Sequence, residues 1–212
     1  MTDLGDLRVS EAAAIGGSFG LQAVIDDNRS IYLVDDSPGS TPYAARFHFD
    51  PNDLSMASGN SHILMLARDA AGLAAFRVEL RSFQGDFQLR GVAVLDQTPN
   101  FVTPWWTITD DPHFIEVNWR AASTEEAEDG GFALMVDGST VAGNDFLDNA
   151  TRQVDTVLLG AVSGVDGGTR GTTFFDSFAS TEGLPIGPDP SIVLPTPPRS
   201  EEHTSELQSL AY

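Results

Sequence analysis

Short stretches in which apolar and polar residues alternate recur along most of the chain. The segment YAARFHFD (43–50) is an example: Tyr43, Ala45, Phe47 and Phe49 fall on one face of an extended strand, and Arg46 and His48 fall on the other. Turn residues separate such stretches, as in Gln84-Gly85-Asp86 and Asp137-Gly138. We count about ten to twelve strands and no long helix. The pattern predicts an all-β fold, an antiparallel β-sandwich of two packed sheets.

The alternation stops near residue 183, so residues 1–182 are predicted to form one domain. Residues 183–198, GLPIGPDPSIVLPTPP, contain six prolines and are predicted to form an extended linker. Residues 199–212 resemble nothing before them, and RSEEHTSELQS looks like the translation of a widely used sequencing-library adapter. We therefore expect a non-native tail at 199–212, and a natural protein that continues beyond residue 198.

Composition narrows the possible partners. The 212 residues carry 31 acidic and 11 basic side chains, a net charge of -20, and every basic residue is an arginine. Such a chain is repelled by phosphate backbones, which argues against nucleic acid. Its acidity fits either a need for solubility or the binding of a cation such as calcium. There are no cysteines, no apolar run long enough to insert into a membrane, and no signal peptide at the start.

The polar faces of the middle strands hold the candidate ligand-binding residues. If these strands are neighbours, their polar side chains form a single exposed surface. Arginine, glutamate and asparagine suit sugar hydroxyls, and arginine can bind a uronate carboxylate through two hydrogen bonds. The alternative is a solvated sheet face with cross-strand ion pairs. The candidates are Arg46, His48, Arg77, Glu79, Arg81, Gln88, Arg90, Glu116, Asn118 and Arg120.

Tryptophan can stack on the apolar face of a sugar ring. Trp105 and Trp106 are adjacent, so their side chains point in opposite directions on an extended chain and one of them is expected to pack inward. Trp106 is the candidate for ligand contact. Trp119 falls on the same strand face as the apolar residues Ile115 and Val117, so it is expected in the core.

Several segments resemble a family of bacterial extracellular jelly-roll domains of the laminin-G type, in the concanavalin A-like lectin/glucanase superfamily. The resemblance rests on segments that lie in order along most of the chain. They include GDLRVSEAAAIGGSFGLQAVIDDNRSIYLVDDSP, ARFHFDPNDLSMASGN, FQLRGVAVLD, IEVNWRAAS, GGFALMVDG, DNATRQVDTVLLGAVSGVDGGTRGTTFFDSFAS and IGPDP.

This resemblance implies a jelly roll of a secreted or cell-surface protein, attached to other domains of a parent chain, with a glycan or surface polymer as partner. It also implies a weak candidate for a structural Ca²⁺ ligand, Asp176 in FFDSF. Members of the family usually carry an extra strand before the segment that matches Gly5, so we expect the N-terminus to be truncated.

Catalytic motifs are not found. The glucanases of this superfamily carry a Glu-x-Asp-x-x-Glu strand, whereas Glu79 and Glu116 each lie alone among other residue types. No GxSxG, HExxH or P-loop pattern occurs. The sequence therefore favours a non-enzyme, a carbohydrate-binding module. The alternatives are a structural spacer without a ligand and, least favoured, a divergent glycoside hydrolase.

Overall fold

A computed structural model describes residues 5–97, 99–183, 185–190 and 192. The rest of the predicted linker and the 199–212 tail lie outside the described residues. Within the described part, the chain forms fifteen strands, one 3-10 turn at Glu11–Ala13, and no α-helix. The strands are β1 Leu7–Ser10, β2 Gly20–Ile25, β3 Ile31–Ser40, β4 Tyr43–Asp50, β5 Ser55–Met56, β6 Ser61–Arg68, β7 Ala74–Phe83, β8 Asp86–Ala93, β9 Phe101–Val102, β10 Trp106–Ile108, β11 His113–Arg120, β12 Gly130–Val136, β13 Ser139–Leu147, β14 Val154–Ser163 and β15 Thr169–Thr181.

The strands pair antiparallel in two sheets. Sheet 1 has the order β1-β2-β15-β4-β11-β12-β13, with β5 beside β15. Sheet 2 has the order β10-β8-β7-β6-β14-β3, with β9 beside β8. The predicted all-β antiparallel sandwich is confirmed. The predicted strand count was too low because β5, β9 and β10 have two or three residues each, too few to show alternation.

The core lies between the two sheets, where the apolar face of each strand points. In β4 the predicted apolar face, Tyr43, Ala45, Phe47 and Phe49, is at most 1% exposed. Trp119 is also buried in the core, as predicted. Burial of this apolar surface is the main favourable term in folding.

Phe76 of β7 connects the sheets. Its ring centroid lies 6.1 Å from that of Tyr43, 6.3 Å from that of Trp119 and 5.9 Å from that of Phe132, all in sheet 1. Tilted aromatic pairs at these distances add stabilisation beyond the area they bury.

No helix in the described part of the chain is long and apolar enough to cross a membrane.

A histidine is buried on the inner face of sheet 2. His62 of β6 pairs with Leu80 and is 3% exposed, and its Nδ1 has no hydrogen-bond partner among the described residues. Burial disfavours the charged imidazolium and lowers the pKa of His62 to about 4.

Replacing Phe76 with alanine should lower the free energy of unfolding by about 3–5 kcal/mol, because it leaves a cavity between the sheets. Chemical denaturation measures this change. Phe146→Ala is the matched control, since Phe146 is 78% exposed, and it should change the free energy of unfolding by no more than about 0.5 kcal/mol. Equal losses in the two variants would contradict the proposed role of Phe76.

His62 should make the fold acid-sensitive. Its pKa is lower in the folded than in the unfolded state, so the unfolded chain binds the proton first as pH falls below about 6.5. Stability attributable to His62 is therefore complete near pH 7 and declines toward pH 4, by up to about 3 kcal/mol. In His62→Leu, the difference in unfolding free energy between pH 7 and pH 4.5 should shrink. The same pH dependence in both proteins would contradict this assignment.

Candidate functional site

The predicted ligand-binding residues do not form one surface. Strands β4 and β11 are neighbours in sheet 1, whereas β7 and β8 are neighbours in sheet 2. The outward side chains of the two pairs therefore lie on opposite sides of the sandwich, and the prediction of a single polar surface was wrong. Sheet 1 carries Arg46, His48, Glu116, Asn118 and Arg120, and sheet 2 carries Arg77, Glu79, Arg81, Gln88 and Arg90.

The outer face of sheet 2 holds a compact ionic cluster. Glu79 of β7 lies directly opposite Arg90 of β8. Its Oε2 accepts a hydrogen bond from Arg90 Nε at 2.6 Å, and its Oε1 accepts one from Arg77 Nε at 2.5 Å. Alternation brings Arg77 and Glu79 to the same face, since they are two residues apart on one strand. The carboxylate therefore holds one arginine on each side.

A second set of contacts extends this cluster toward β10. Arg81 Nε donates to Gln88 Oε1 at 2.7 Å, and Gln88 Nε2 donates to Thr107 Oγ1 at 3.1 Å. The guanidinium carbons of Arg81 and Arg90 lie 4.1 Å and 4.3 Å from the ring centroid of Trp105, within the range of cation–π attraction.

We call the outward group of Arg77, Glu79, Arg81, Gln88, Arg90 and Trp105 the arginine face. Its tryptophan is Trp105, not the predicted Trp106, which pairs with Leu89 of β8 and is 43% exposed. Alternation alone could not distinguish the two, because the segment before β10 is a loop without periodicity.

The arginine face is positively charged in a strongly acidic protein. Three guanidinium groups face one carboxylate, which leaves two net positive charges. Burial acts to raise the pKa of Glu79, but the hydrogen bonds and charges of Arg77 and Arg90 outweigh it and hold that pKa below its ordinary range. Glu79 is therefore ionised at neutral pH.

The three arginines retain binding capacity. Each uses only Nε in its hydrogen bonds, so the terminal nitrogens have no hydrogen-bond partner among the described residues. The side chains of Arg77 and Arg90 are 27% and 31% exposed. The two terminal nitrogens of a guanidinium form a planar fork that matches a carboxylate. The face can therefore bind carboxylate groups from solvent.

Part of the outer face of sheet 1, around Arg46 and Glu116, is covered by the chain itself. Residues 185–190, which we call the strap, cross it after β15. Glu116 Oε1 accepts the backbone N–H of Ile186 at 3.0 Å, and Oε2 accepts that of Gly187 at 2.9 Å. Arg46 donates to the carbonyl oxygen of Gly187 at 2.8 Å and to the carboxylate of Asp189 at 3.3 Å. This part of the predicted linker therefore contacts the domain.

Two of the predicted sheet 1 residues, Glu116 and His48, are buried, whereas the side chain of Arg120 is 47% exposed. Glu116 is 0% exposed and His48 is 2% exposed. Burial lowers the pKa of His48, so this side chain is neutral at pH 7. Asn118 donates to Glu116 at 3.2 Å, and Arg120 pairs with Asp145 at 3.1 Å. Arg46, Glu116 and Asn118 are thus bound to the strap or to each other, and Arg120 is bound to β13. The arginine face, with three guanidinium groups around one carboxylate, is the better candidate for an anionic ligand.

The Asp176 carboxylate is engaged by backbone amides. Its Oδ2 accepts hydrogen bonds from the N–H groups of Ile15 and Gly16, both at 2.8 Å, and its Oδ1 accepts one from Ser177 N–H at 2.6 Å. In the described part of the chain, no group of three or more His, Cys, Asp or Glu side chains could hold a metal ion. The geometry thus adds no ligands to the predicted calcium site, which stays a prediction.

A histidine that the sequence did not single out also has a defined environment. His113 Nδ1 lies 2.7 Å from the Asp137 carboxylate, and its Nε2 accepts the backbone N–H of Thr109 at 3.0 Å. These two contacts attach His113 to Thr109 and Asp137, so its ring closes the β10–β11 turn. Burial acts to raise the pKa of Asp137, but the His113 contact and the Phe114 N–H hold it lower.

The chain matches no family model, and no curated protein matches it significantly. Solved structures do match. An endo-β-1,4-glucuronan lyase from the fungus Trichoderma reesei aligns with TM-score 0.61 and 13% identity, over 85% of this chain and 88% of the lyase. The alginate lyase Aly36B, in complex with an alginate trisaccharide, aligns with TM-score 0.60 and 11% identity, over 86% and 87% of the two chains. An alginate lyase from Pseudomonas aeruginosa aligns with TM-score 0.58 and 7% identity, over 85% and 87%.

These matches show the fold, a β-sandwich shared with polysaccharide lyases and related to the jelly rolls expected from the sequence. They contradict the prediction of a non-catalytic module, because several proteins with this architecture are lyases. The prediction depended on the missing glucanase acid motif. That motif serves hydrolysis by paired carboxylates, and its absence does not exclude other reactions on a glycan. The laminin-G subtype and the bacterial origin stay predictions.

The strap contacts make a prediction for Glu116. In the wild type both Glu116 oxygens accept hydrogen bonds from strap N–H groups. In Glu116→Gln one oxygen is replaced by an NH₂ donor, so one strap N–H group loses its acceptor and the strap should loosen. We expect a loss of about 1.5–3 kcal/mol in the free energy of unfolding, as for hydrogen bonds to a charged group. Hydrogen exchange at the Ile186 and Gly187 amides should accelerate. In the control Glu125→Gln, on an exposed loop, neither quantity should change; unchanged exchange in Glu116→Gln would contradict the strap assignment.

Proposed function

We propose that the protein is a glycan-processing enzyme that acts by elimination on an acidic, uronate-bearing polysaccharide, which it binds at the arginine face. The single observation that carries this proposal is the set of three outward guanidinium forks on sheet 2, held by Glu79 and Trp105. No comparable set of exposed cations occurs elsewhere in the described part of sheet 2, and the chain as a whole is acidic.

Electrostatics supports an acidic substrate over a neutral one. With a net charge of -20, most of the surface repels an anion, and the arginine face is a local exception. A neutral glycan could accept hydrogen bonds from these arginines but would gain no charge attraction. A carboxylate can take two parallel hydrogen bonds from one guanidinium, which adds direction to the charge attraction.

The names of the matched structures support the same substrate class. Glucuronan and alginate, the polymers that appear in those names, are both chains of uronic acids. Their lyases share the architecture of this protein at low sequence identity, so the substrate class enters here as part of the proposal. The proposal also includes an extracellular or cell-surface location, where such polymers occur, and attachment to other domains of a longer chain.

Elimination places a specific demand on the arginine face. A base removes the proton on the carbon next to the carboxylate, and that C–H electron pair becomes a C4=C5 double bond. The C4–O4 bond breaks, and the departing oxygen takes up a proton. Negative charge builds on the carboxylate oxygens as the proton leaves, and a guanidinium fork from Arg81 or Arg90 stabilises that charge.

Glu79 does not act as the base in this scheme. Its two arginine partners hold its pKa below the ordinary range, so it accepts protons poorly. Substrate binding and charge stabilisation are assigned to the arginine face, and no residue is assigned as the proton acceptor.

The test is to incubate the protein with glucuronan, alginate and a neutral β-glucan. Ultraviolet absorbance reports the new double bond, and a reducing-end assay reports any chain cleavage. We expect unsaturated products from at least one polyuronate and none from the neutral glucan. Cleavage without absorbance would show hydrolysis and contradict elimination. No product from any polyuronate would contradict the proposed function.

Arginine variants locate the activity. Arg81→Met and Arg90→Met should each lower kcat/KM by about tenfold or more, the loss expected for one charge-assisted contact. Arg8→Met is the matched control, because Arg8 lies on β1 of the other sheet and bonds only Gln22 among the described residues. It removes the same charge and should leave kcat/KM unchanged. An equal loss in Arg8→Met would show that only net charge matters.

A further inference from the structure

Glu79 is an anion at the centre of a face that we assign to anionic ligands. We propose that Glu79 is a positioning residue: it binds Arg77 and Arg90 through Nε, and so turns their terminal nitrogens away from the sheet toward the ligand. The ligand's identity rests on the proposed function, whereas the positioning itself rests on the contacts of Glu79.

The geometry of these contacts determines where the two forks point. One carboxylate oxygen takes Arg77 Nε at 2.5 Å and the other takes Arg90 Nε at 2.6 Å. A guanidinium group is planar and rigid, so a hydrogen bond at Nε sets the direction of the two terminal nitrogens. Neither arginine makes another hydrogen bond within the described residues. Both forks therefore stay open for carboxylate oxygens.

Two effects of Glu79 on an anionic ligand oppose each other. Its charge repels the ligand and partly cancels the arginines, so charge alone would make binding tighter when Glu79 is neutralised. Its hydrogen bonds hold Arg77, and together with the Trp105 ring they hold Arg90. Without them these long side chains would sample more rotamers, and the ligand would have to order them on binding. We infer that ordering is the larger effect, since one carboxylate serves two arginines.

The chain contains a matched control for the charge effect. Asp86, Gln88 and Arg90 are every second residue of β8, so the side chain of Asp86 also lies on the outer face of sheet 2. It is exposed, and none of the described hydrogen bonds or ion pairs joins it to an arginine. Asp86→Asn therefore removes one negative charge from this face without releasing an arginine.

The experiment compares the full chain with Glu79→Gln and Asp86→Asn, using purified glucuronan and alginate oligosaccharides as probes in titration calorimetry. Glutamine has one oxygen acceptor and one N–H₂ group, so it can hold only one of the two arginines. We expect Glu79→Gln to weaken binding by about 5- to 10-fold, the loss of roughly one good hydrogen bond. Asp86→Asn should bind as tightly as the wild type or slightly more tightly. Equal or tighter binding by Glu79→Gln would overturn the proposal.

A second readout separates this inference from the proposed function. In NMR spectra, the Nε–H signals of Arg77 and Arg90 should be resolved and protected in the wild type, and at least one should move to the free arginine position in Glu79→Gln. If the wild type binds neither oligosaccharide, the proposed function fails, and these signals still decide the positioning role. Unchanged Nε–H signals in Glu79→Gln would overturn it. A thermal midpoint close to that of the wild type would confirm that the variant is folded.

Discussion

The aromatic contact between the two sheets determines where the charged groups of this protein can lie. Phe76 points inward from β7 and packs against Tyr43, Trp119 and Phe132 of sheet 1. Because side chains alternate along a strand, the neighbours of an inward-facing residue on the same strand face outward. A one-residue shift of β7 would bring its arginines into the core and expose Phe76. The burial of one ring thus specifies the outward direction of Arg77, Glu79 and Arg81.

Sequence reasoning succeeded within strands and failed between them. Alternation correctly separated the core-facing side chains of β4 from Arg46 and His48 on its other face, and it placed Arg77, Glu79 and Arg81 on a single face of β7. It could not show that β4 pairs with β11, nearly seventy residues away, and not with β7. Which strands become neighbours depends on long-range packing, and a local period carries no information about it. The predicted surface was therefore divided between two sheets.

The role of Glu116 was missed for a related reason. It binds two backbone N–H groups of the strap, and backbone donors are present in almost every residue, so no side-chain pattern marks the partner. The prolines of residues 183–198 predict an extended chain, but extension does not show whether a segment leaves the domain or crosses it. The exclusion of catalysis was wrong for a different reason: the motifs sought belong to hydrolases and nucleotide-binding proteins, and an elimination reaction needs none of them. Arginine forks on a sheet are compatible with carboxylate chemistry that needs no paired acids.

The strap also has a mechanical consequence. Four hydrogen bonds attach it to Glu116 and Arg46, and all of them lie beyond the end of β15. Tension applied to the chain after residue 190 would reach these bonds first and would load them one after another. They could break and re-form while β15 stays paired with β2 and β4 on its two sides. A small extension of the chain would then open the strap, and the hydrogen bonds between the strands of the sandwich would stay intact.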